Sequence, residues 1–380
     1  MKKRTLQVGL LGAAMGAALT IGTCLAQAAQ VIIPILVPIT GFLSLEGNSQ
    51  RNGAVLALEH APPGVKAKGE VLDTGTSPEI AVNAFEKAVS AETPIAIVAP
   101  ILGIQMLAIL PLANQHKVPL VTVSGTAKIT ELSNPYIFRF FPADNVVKVV
   151  QARYAVETLG KKRPALLFQT TAYGQSGEAV LTSEFNRLGA PLVFEDSLDT
   201  NVKDMLPILL KVREANPDVL VLQLHAGSMA LVVKEAASMN LPFPIVASSA
   251  MHQPSTAALL EPDEMKGVCA ETGSSPISSE TPAVKKWLAE YRSAFQTDPD
   301  AYALGQYDGV AMVLKAVEEG AKTPEDVRAY LATKSFKGIA MTYKSDGVGN
   351  MAHSAEIVCY DGKTRIPKVV KRYDNVDAAP

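Results

Sequence analysis

The chain has 380 residues, enough for about two domains of ordinary size. Hydrophobic residues make up 48% of the sequence and charged residues 19%, so a large core can form and disorder is not expected. The formal net charge is −2. Because a phosphate backbone is held by a surplus of basic residues, this balance argues against nucleic acid as a partner.

The N-terminus carries the pattern of a secretory signal peptide. Residues 2–4 are basic, residues 6–25 are uncharged and mostly small or apolar, and residues 26–28 (Ala-Gln-Ala) suit a signal peptidase. We therefore expect cleavage before Ala29 and export of a soluble mature protein to the periplasm. A retained membrane anchor is one alternative, since the stretch is almost long enough to span a bilayer. Lipidation of Cys24 is another, although the residues before it fit that motif poorly.

Two further cysteines, Cys269 and Cys359, stay in the mature chain. An exported compartment permits a disulfide between them. The sequence does not show that they meet, and we expect two buried free thiols.

Strands and helices alternate along the first part of the chain. Residues 31–38 are continuously apolar, as a strand buried on both faces requires. Ser77, Pro78 and Glu79 predict a helix start, with a capping hydroxyl, a proline in the first turn and an acid near the positive helix end. The order β-α-β-α-β-α-β with short connections is typical of a doubly wound parallel sheet. The predicted strands are 31–38, 69–73, 94–99 and 118–123, and the predicted helices include 52–60 and one ending at 115.

The same alternation returns in the second part and predicts a second α/β unit. Loops at the carboxyl ends of two facing sheets form the usual binding crevice. The predicted strands are 164–169, 192–195, 218–224, 244–248 and 267–272, with helices at 146–159, 177–188, 205–215, 282–295 and 303–319, a short helix from 323, and a β-like end at 355–373.

Catalytic motifs are weak throughout the sequence. The five histidines lack the spacing of a metal site, and no G-x-S-x-G or Walker motif is present. Residues 347–352 formally fit G-x-G-x-x-A, but they lack the β-α context of a dinucleotide site and are interpreted as a turn. This inventory favours a binding protein without a metal or cofactor over an enzyme.

Several segments, taken together in order and spacing, resemble the type I periplasmic-binding-protein family. The likeness covers nearly the whole mature chain and is closest to the leucine/isoleucine/valine-binding type, the ligand-binding subunits of ABC importers. The segments are 38–41 (PITG), 52–54 (NGA), 99–100 (AP), 118–120 (VPL), 124–126 (SGT), 134–139 (NPYIFR), 171–174 (TAYG), 215–218 (ANPD) and 300–303 (DAYA).

The resemblance implies two α/β lobes joined by three crossovers that close on a ligand. Lobe one is expected at 29–141 and 270–342, lobe two at 142–269 and 343–373, with residues 374–380 as a tail. The expected partners are a small carboxylate or amino-acid-like ligand, a membrane permease and its cytoplasmic ATPase. We expect a monomer.

The resemblance also implies where a ligand carboxylate is held. Ser124 and Thr126 match hydroxyl positions after the fourth strand, where a helix N-terminus suits an anion; simple helix capping is the alternative. Gly103 and Ile104 stand after the third strand, where relatives usually carry serines, so only backbone N–H groups are available there.

Five further positions match the family's pocket. Tyr173 corresponds to a tyrosine that covers the ligand, His225 to a second pocket tyrosine, and Tyr302 to an aromatic lining position. Glu46 is either a pocket acid or a solvated side chain. Ser249 stands where amino-acid binders place the carboxylate that grips the α-ammonium, and a serine cannot replace that charge-assisted contact.

The sequence therefore favours a binder of an aromatic or branched carboxylic acid. A branched-chain amino-acid or amide binder, with Glu46 as the ammonium partner, is the alternative within the fold. A secreted hydrolase would need a nucleophile–base pair that the sequence does not reveal. A signalling ectodomain and a sugar binder are further alternatives, the latter disfavoured by a single tryptophan.

Overall fold

The computed structural model describes Met1 and residues 29–376. The rest of the predicted signal segment (residues 2–28) lies outside the described residues, and so does the end of the predicted tail (residues 377–380). No helix in the described part is long and apolar enough to cross a bilayer.

The first apolar run forms two short strands rather than the single strand predicted over 31–38. Pro34 has no N–H group to donate to a sheet, and the chain changes partners around it. The elements up to residue 139 are β1 (Ala29–Ile32), β2 (Ile35–Val37), α1 (Ser44–Glu59), β3 (Val65–Lys68), β4 (Val71–Asp73), α2 (Pro78–Ala91), β5 (Ile97–Val98), α3 (Gly103–His116), β6 (Leu120–Thr122), α4 (Lys128–Glu131) and β7 (Ile137–Arg139). The strand β1 pairs only with β3, whereas β2 joins the main sheet.

A second series of elements follows without a long linker. Its first helix ends in a π-helical turn at Tyr154–Thr158. The elements are α5 (Asp144–Arg153), β8 (Pro164–Gln169), α6 (Ala172–Arg187), β9 (Phe194–Leu198), α7 (Leu206–Glu214), β10 (Val219–Gln223), α8 (Ala226–Ser238), β11 (Ile245–Ala247), α9 (Pro254–Ala257) and β12 (Val268–Thr272).

The last part of the chain returns to the first lobe and then ends in the second. Its elements are α10 (Pro282–Phe295), α11 (Ala301–Glu318), α12 (Pro324–Thr333), β13 (Ser335–Lys337), β14 (Thr342–Lys344), β15 (Ala355–Cys359) and β16 (Lys368–Tyr373).

Two separate sheets carry the two lobes. Lobe one has the parallel order β4-β2-β5-β6-β7, and lobe two has the order β16-β15-β12-β11-β10-β8-β9. In lobe two only the pairs made by β15 are antiparallel. Buried apolar clusters lie on both faces of each sheet, against α1 and α11 or α2 and α3 in lobe one, and against α7 and α8 or α5 and α6 in lobe two. This is the doubly wound architecture expected from the alternating pattern.

The chain passes between the two sheets three times: between β7 and α5, between β12 and α10, and between β14 and β15. Strand β12 pairs within the lobe-two sheet up to Thr272. Tyr343 and Met351 pack in the lobe-one core. We therefore propose crossings near residues 273 and 352, in place of the predicted boundaries at 270 and 343.

Cys269 and Cys359 form a disulfide, so the expectation of two free thiols is wrong. Strands β12 and β15 are antiparallel neighbours, and their register places these two residues directly opposite each other. Ninety positions separate them in sequence, so only the sheet order brings them together. The bridge ties the last segment of the chain to the centre of the lobe-two sheet.

Candidate functional site

A narrow cavity lies between the two lobes. It is bordered by loops at the carboxyl ends of strands in both sheets, the position expected for a ligand site in this architecture. Its wall is mostly apolar or aromatic, with one acid and one histidine. The lining residues are Leu43, Glu46, Ile101, Leu102, Gly125 and Tyr302 from lobe one, and Tyr173, His225 and Ala250 from lobe two.

Hydrogen-bond donors converge beside the Leu102 and Gly125 part of this wall. Gly103 and Ile104 begin α3, so their N–H groups have no acceptor within the helix. The hydroxyls of Ser124 and Thr126 are buried and find no partner among the described residues. We call these four residues the donor cluster. Unpaired buried donors at a helix N-terminus suit an anion.

Two of these donors are brought together by a glycine. A Cβ atom at Gly103 would lie 2.1 Å from the Thr126 Oγ1 atom, so any side chain there would displace the hydroxyl. The alternative role of Thr126 as a helix cap is not seen, because α4 has no side-chain cap bond and its N-cap residue is Ala127. The hydroxyl is therefore held at the start of α3 without a structural bond of its own.

Arg139 fixes the orientation of the loop that carries these hydroxyls. Its Nη1 donates to the carbonyl oxygens of Ser124, Gly125 and Thr126 at 3.1, 2.9 and 2.8 Å. Its Nε and Nη2 donate to Asn350 at 3.0 and 2.7 Å. Burial lowers the pKa of Arg139 to about 10, so the guanidinium stays charged at neutral pH. Sequence reasoning missed this residue, although it stands at the end of the quoted NPYIFR segment.

Aromatic rings from lobe two form part of the wall. The ring centroid of His225 lies 5.1 Å from that of Tyr173 and 5.4 Å from that of Phe42. His225 Nε2 is hydrogen-bonded to the Thr171 hydroxyl at 3.0 Å. Burial lowers the pKa of His225 to about 4, so the ring is neutral at physiological pH. Tyr302 lines the lobe-one side.

Glu46 is buried with only 2% of its surface exposed, so the alternative of a solvated side chain is wrong. One carboxyl oxygen accepts a bond of 3.0 Å from the backbone N–H of Ala226, the first residue of α8. The other oxygen has no partner among the described residues. Burial raises the pKa of Glu46 to about 7. The side chain thus joins lobe one to lobe two and, as far as the described residues go, keeps one carboxyl oxygen unpaired.

Ser249 does not line the cavity. Its backbone N–H and its hydroxyl both donate to Glu271, at 3.0 and 2.6 Å. Glu271 in turn forms a fully buried ion pair with Lys148. Sequence reasoning missed both charged residues, since they lie 123 positions apart and only the packing of α5 on β12 joins them.

Asp144 is a second acid that the sequence did not reveal. It begins α5, is buried, and neither of its carboxyl oxygens has a hydrogen-bond partner in the described part of the chain. A Cβ atom at Gly125 would lie 2.9 Å from its Oδ1 atom, which places the carboxyl directly behind the cavity wall. Burial raises the pKa of Asp144 to about 6, while Lys148 and Arg139 favour its ionised form.

The arrangement is suited to binding. Among the described residues no group of three potential metal ligands is found. A serine–histidine hydrogen bond of 2.8 Å joins Ser275 and His252, a contact that sequence reasoning missed. Neither residue lines the cavity, and His252 Nδ1 finds no partner in the described part of the chain to orient it as a base.

Known proteins resemble the chain over almost all its length. The model of the periplasmic binding protein family matches residues 30–363. A leucine-, isoleucine-, valine-, threonine- and alanine-binding protein of Pseudomonas aeruginosa is 24% identical over 345 residues, covering 89% of this chain and 91% of the relative.

Solved structures share the fold. A leucine-binding protein, LivK, of Thermotoga maritima MSB8 has a TM-score of 0.83 at 23% identity, covering 90% of this chain and 99% of the other. A solute-binding protein of an ABC transporter from Rhodopseudomonas palustris BisB5, in complex with 3,4-dihydroxybenzoic acid, has a TM-score of 0.81 at 20% identity, covering 92% and 98%. At these identities the likeness establishes the fold alone.

Proposed function

Since the chain belongs to the periplasmic binding protein family, whose members bind solutes and are not enzymes, we propose that its cleft captures a small carboxylic acid without an α-amino group. The acid would be aromatic or branched. Capture would occur by closure of the two lobes, and the loaded protein would deliver the acid to the permease and ATPase of an ABC importer.

The observation that carries this proposal is the donor cluster. Gly103 and Ile104 offer N–H groups at a helix start, and Ser124 and Thr126 offer buried hydroxyls that have no partner within residues 29–376. A buried polar group without a hydrogen bond costs about 1–3 kcal/mol, so a cluster of such donors beside a cavity calls for a partner that the cavity could hold. A carboxylate would satisfy several of them at once and would gain from the helix dipole.

The rest of the cavity suits an apolar body. Leu43, Ile101 and Leu102 present aliphatic surface, and Tyr173 and Tyr302 present rings. An aromatic or branched skeleton would bury apolar area against this wall, at about 25 cal/mol per Å². A few polar groups in a mainly apolar cavity are typical of small-molecule sites.

An α-ammonium finds no free anion at the predicted position. Ser249 is neutral, and the nearby Glu271 is already paired with Lys148. Burying an ammonium group without an anionic partner is strongly unfavourable. An acid that lacks the amine avoids this cost.

A branched-chain amino acid is the second candidate, and Glu46 is the observation that favours it. One of its carboxyl oxygens is buried and unpaired at the cavity. Ionised, it would accept from an ammonium group; protonated, it would donate to a hydroxyl or keto oxygen of an acid. With a pKa of about 7, Glu46 has both forms available near neutral pH.

Export completes the proposal. Residues 1–28 would act as a signal peptide, and the mature protein would begin near Ala29 in the periplasm. The disulfide between Cys269 and Cys359 is compatible with an oxidising compartment. Intact-mass measurement of the exported protein tests this part: a mass that still includes residues 1–28, or a lipid on Cys24, would contradict it.

Calorimetry on ligand-stripped protein tests the ligand class. Benzoate, 3,4-dihydroxybenzoate, 4-methylpentanoate and leucine are titrated at one pH. Leucine and 4-methylpentanoate form a matched pair, because they share a carbon skeleton and differ in the α-ammonium group. We expect at least one acid to bind and leucine to bind about tenfold more weakly than 4-methylpentanoate, or not at all. Tight leucine binding with all three acids silent would overturn the proposal and assign the ammonium to Glu46.

A further inference from the structure

A buried ion pair lies next to the cavity and has no part in the carboxylate site. Lys148 of α5 and Glu271 of β12 are both fully buried and contact each other directly. Glu271 also accepts two hydrogen bonds from Ser249. A buried pair is weak evidence for stability, because desolvation of the two charges offsets their attraction. Its presence beside a ligand cleft therefore calls for another reason.

The pair lies one layer behind the cavity wall. The Lys148 Nζ atom is 5.7 Å from the ring centroid of Tyr173, which lines the cavity. Glu271 binds Ser249, whose neighbour Ala250 lines the cavity as well. Tyr173 thus lies between Lys148 and the cavity, and the segment Ser249–Ala250 lies between Glu271 and the cavity.

The four buried charges behind the cavity wall balance. Arg139 and Lys148 are cations, and Asp144 and Glu271 are anions, all four of them buried. Arg139 and Lys148 both favour the ionised form of Asp144. With all four ionised their net charge is zero, so a ligand ammonium would gain no net attraction from this group of residues.

We propose that Lys148 is a specificity-determining residue: its ammonium group occupies Glu271 and so denies that carboxylate to the α-ammonium of an amino acid. The inference rests on the proposed carboxylate site and explains how the cleft would distinguish an acid from the amino acid of the same skeleton. Removal of the lysine charge would leave Glu271 as a buried anion beside the cavity, and an amino acid could then supply the missing cation.

Two variants test this role, Lys148→Met and Lys148→Gln. The methionine removes the charge at similar length, but it leaves a buried carboxylate unpaired and could impair folding. The glutamine can still donate a hydrogen bond to Glu271, so it offers a variant that keeps the packing. The double variant Lys148→Gln/Glu271→Gln removes both charges and is the matched control.

The measurement is the ratio of the Kd values of leucine and 4-methylpentanoate for each protein at one pH. In the single variants we expect this ratio to fall about ten- to hundredfold relative to the wild type, the effect of attraction between opposite charges across one layer of side chains at an effective dielectric constant of about 20. The double variant should return to the wild-type ratio, because position 271 then carries no negative charge. An unchanged ratio in Lys148→Gln, or an equal fall in the double variant, would overturn the role of Lys148.

The outcomes separate this inference from the proposed function. If the wild type binds neither 4-methylpentanoate nor a benzoate-type acid, the carboxylate proposal fails. If the wild type prefers the acid and the lysine variants keep that preference, the carboxylate site stands and only the inference about Lys148 fails.

Discussion

Replacing Thr126 by valine should weaken ligand binding without weakening the fold. Valine keeps the shape of threonine and removes the hydroxyl. In the free protein this hydroxyl is buried and has no hydrogen-bond partner among the described residues, so its loss breaks no bond. In the complex the same hydroxyl would donate to the ligand carboxylate.

The two effects have opposite signs. A hydrogen bond to a charged partner contributes about 1.5–3 kcal/mol, so the Kd should rise about ten- to hundredfold. An unpaired buried hydroxyl costs about 1–3 kcal/mol, so the free variant should be at least as stable as the wild type. If Thr126 were instead a helix cap, its loss would cost about 0.5–2 kcal/mol of stability.

The assay pairs calorimetry for the Kd with urea unfolding for the free energy of unfolding. Thr256→Val is a matched control, because Thr256 is also fully buried but is bonded to Gln253 in lobe two, outside the cavity lining. The control should leave the Kd unchanged. Unchanged affinity in Thr126→Val together with a lower free energy of unfolding would refute the role of this hydroxyl in carboxylate binding.

Three further predictions concern pH, the disulfide and closure. Burial raises the pKa of Glu46 from 4.5 to about 7. Between these two pH values the folded protein keeps a proton that the unfolded chain releases. The free energy of unfolding therefore falls as the pH rises from 4.5 to about 7. In urea unfolding, the free energy of unfolding of Glu46→Gln should therefore rise by about 3 kcal/mol relative to that of the wild type between pH 4 and pH 8. A difference between the two proteins that does not change with pH would contradict the raised pKa of Glu46. Replacing Cys269 and Cys359 by serine should lower the free energy of unfolding by about 2–4 kcal/mol, and equal unfolding midpoints for this variant and the wild type would count against the bridge. Small-angle scattering should show a smaller radius of gyration when a proven ligand saturates the protein, and an unchanged radius would argue against lobe closure.

Features that depend on a few neighbouring residues could be predicted from the sequence. The Ser77 hydroxyl accepts from N–H groups in the first turn of α2, as its cap pattern predicts, and the Thr323 hydroxyl caps α12, the short helix predicted from residue 323. The strand predicted at 164–169 has the bounds of β8. Local backbone preferences and side-chain periodicity act within a few residues, so they show in the sequence itself.

The resemblance added positions that local patterns do not give. Glu46, Tyr173, His225 and Tyr302 line the cavity between the lobes. Their roles toward a ligand stay predictions. Ser249 was expected at the ligand; in the structure it lies outside the cavity lining, and its backbone N–H and hydroxyl donate to Glu271.

By itself the sequence determined the two α/β units, the starts of α2 and α12 and the hydroxyls that follow β6. Only the tertiary structure decided which distant side chains meet: Cys269 with Cys359, and Lys148 with Glu271. These contacts depend on the order of strands in a sheet and on the packing of α5 against β12. No local preference encodes such pairings, because each half of a pair is compatible with many partners until the sheet fixes the distance between them.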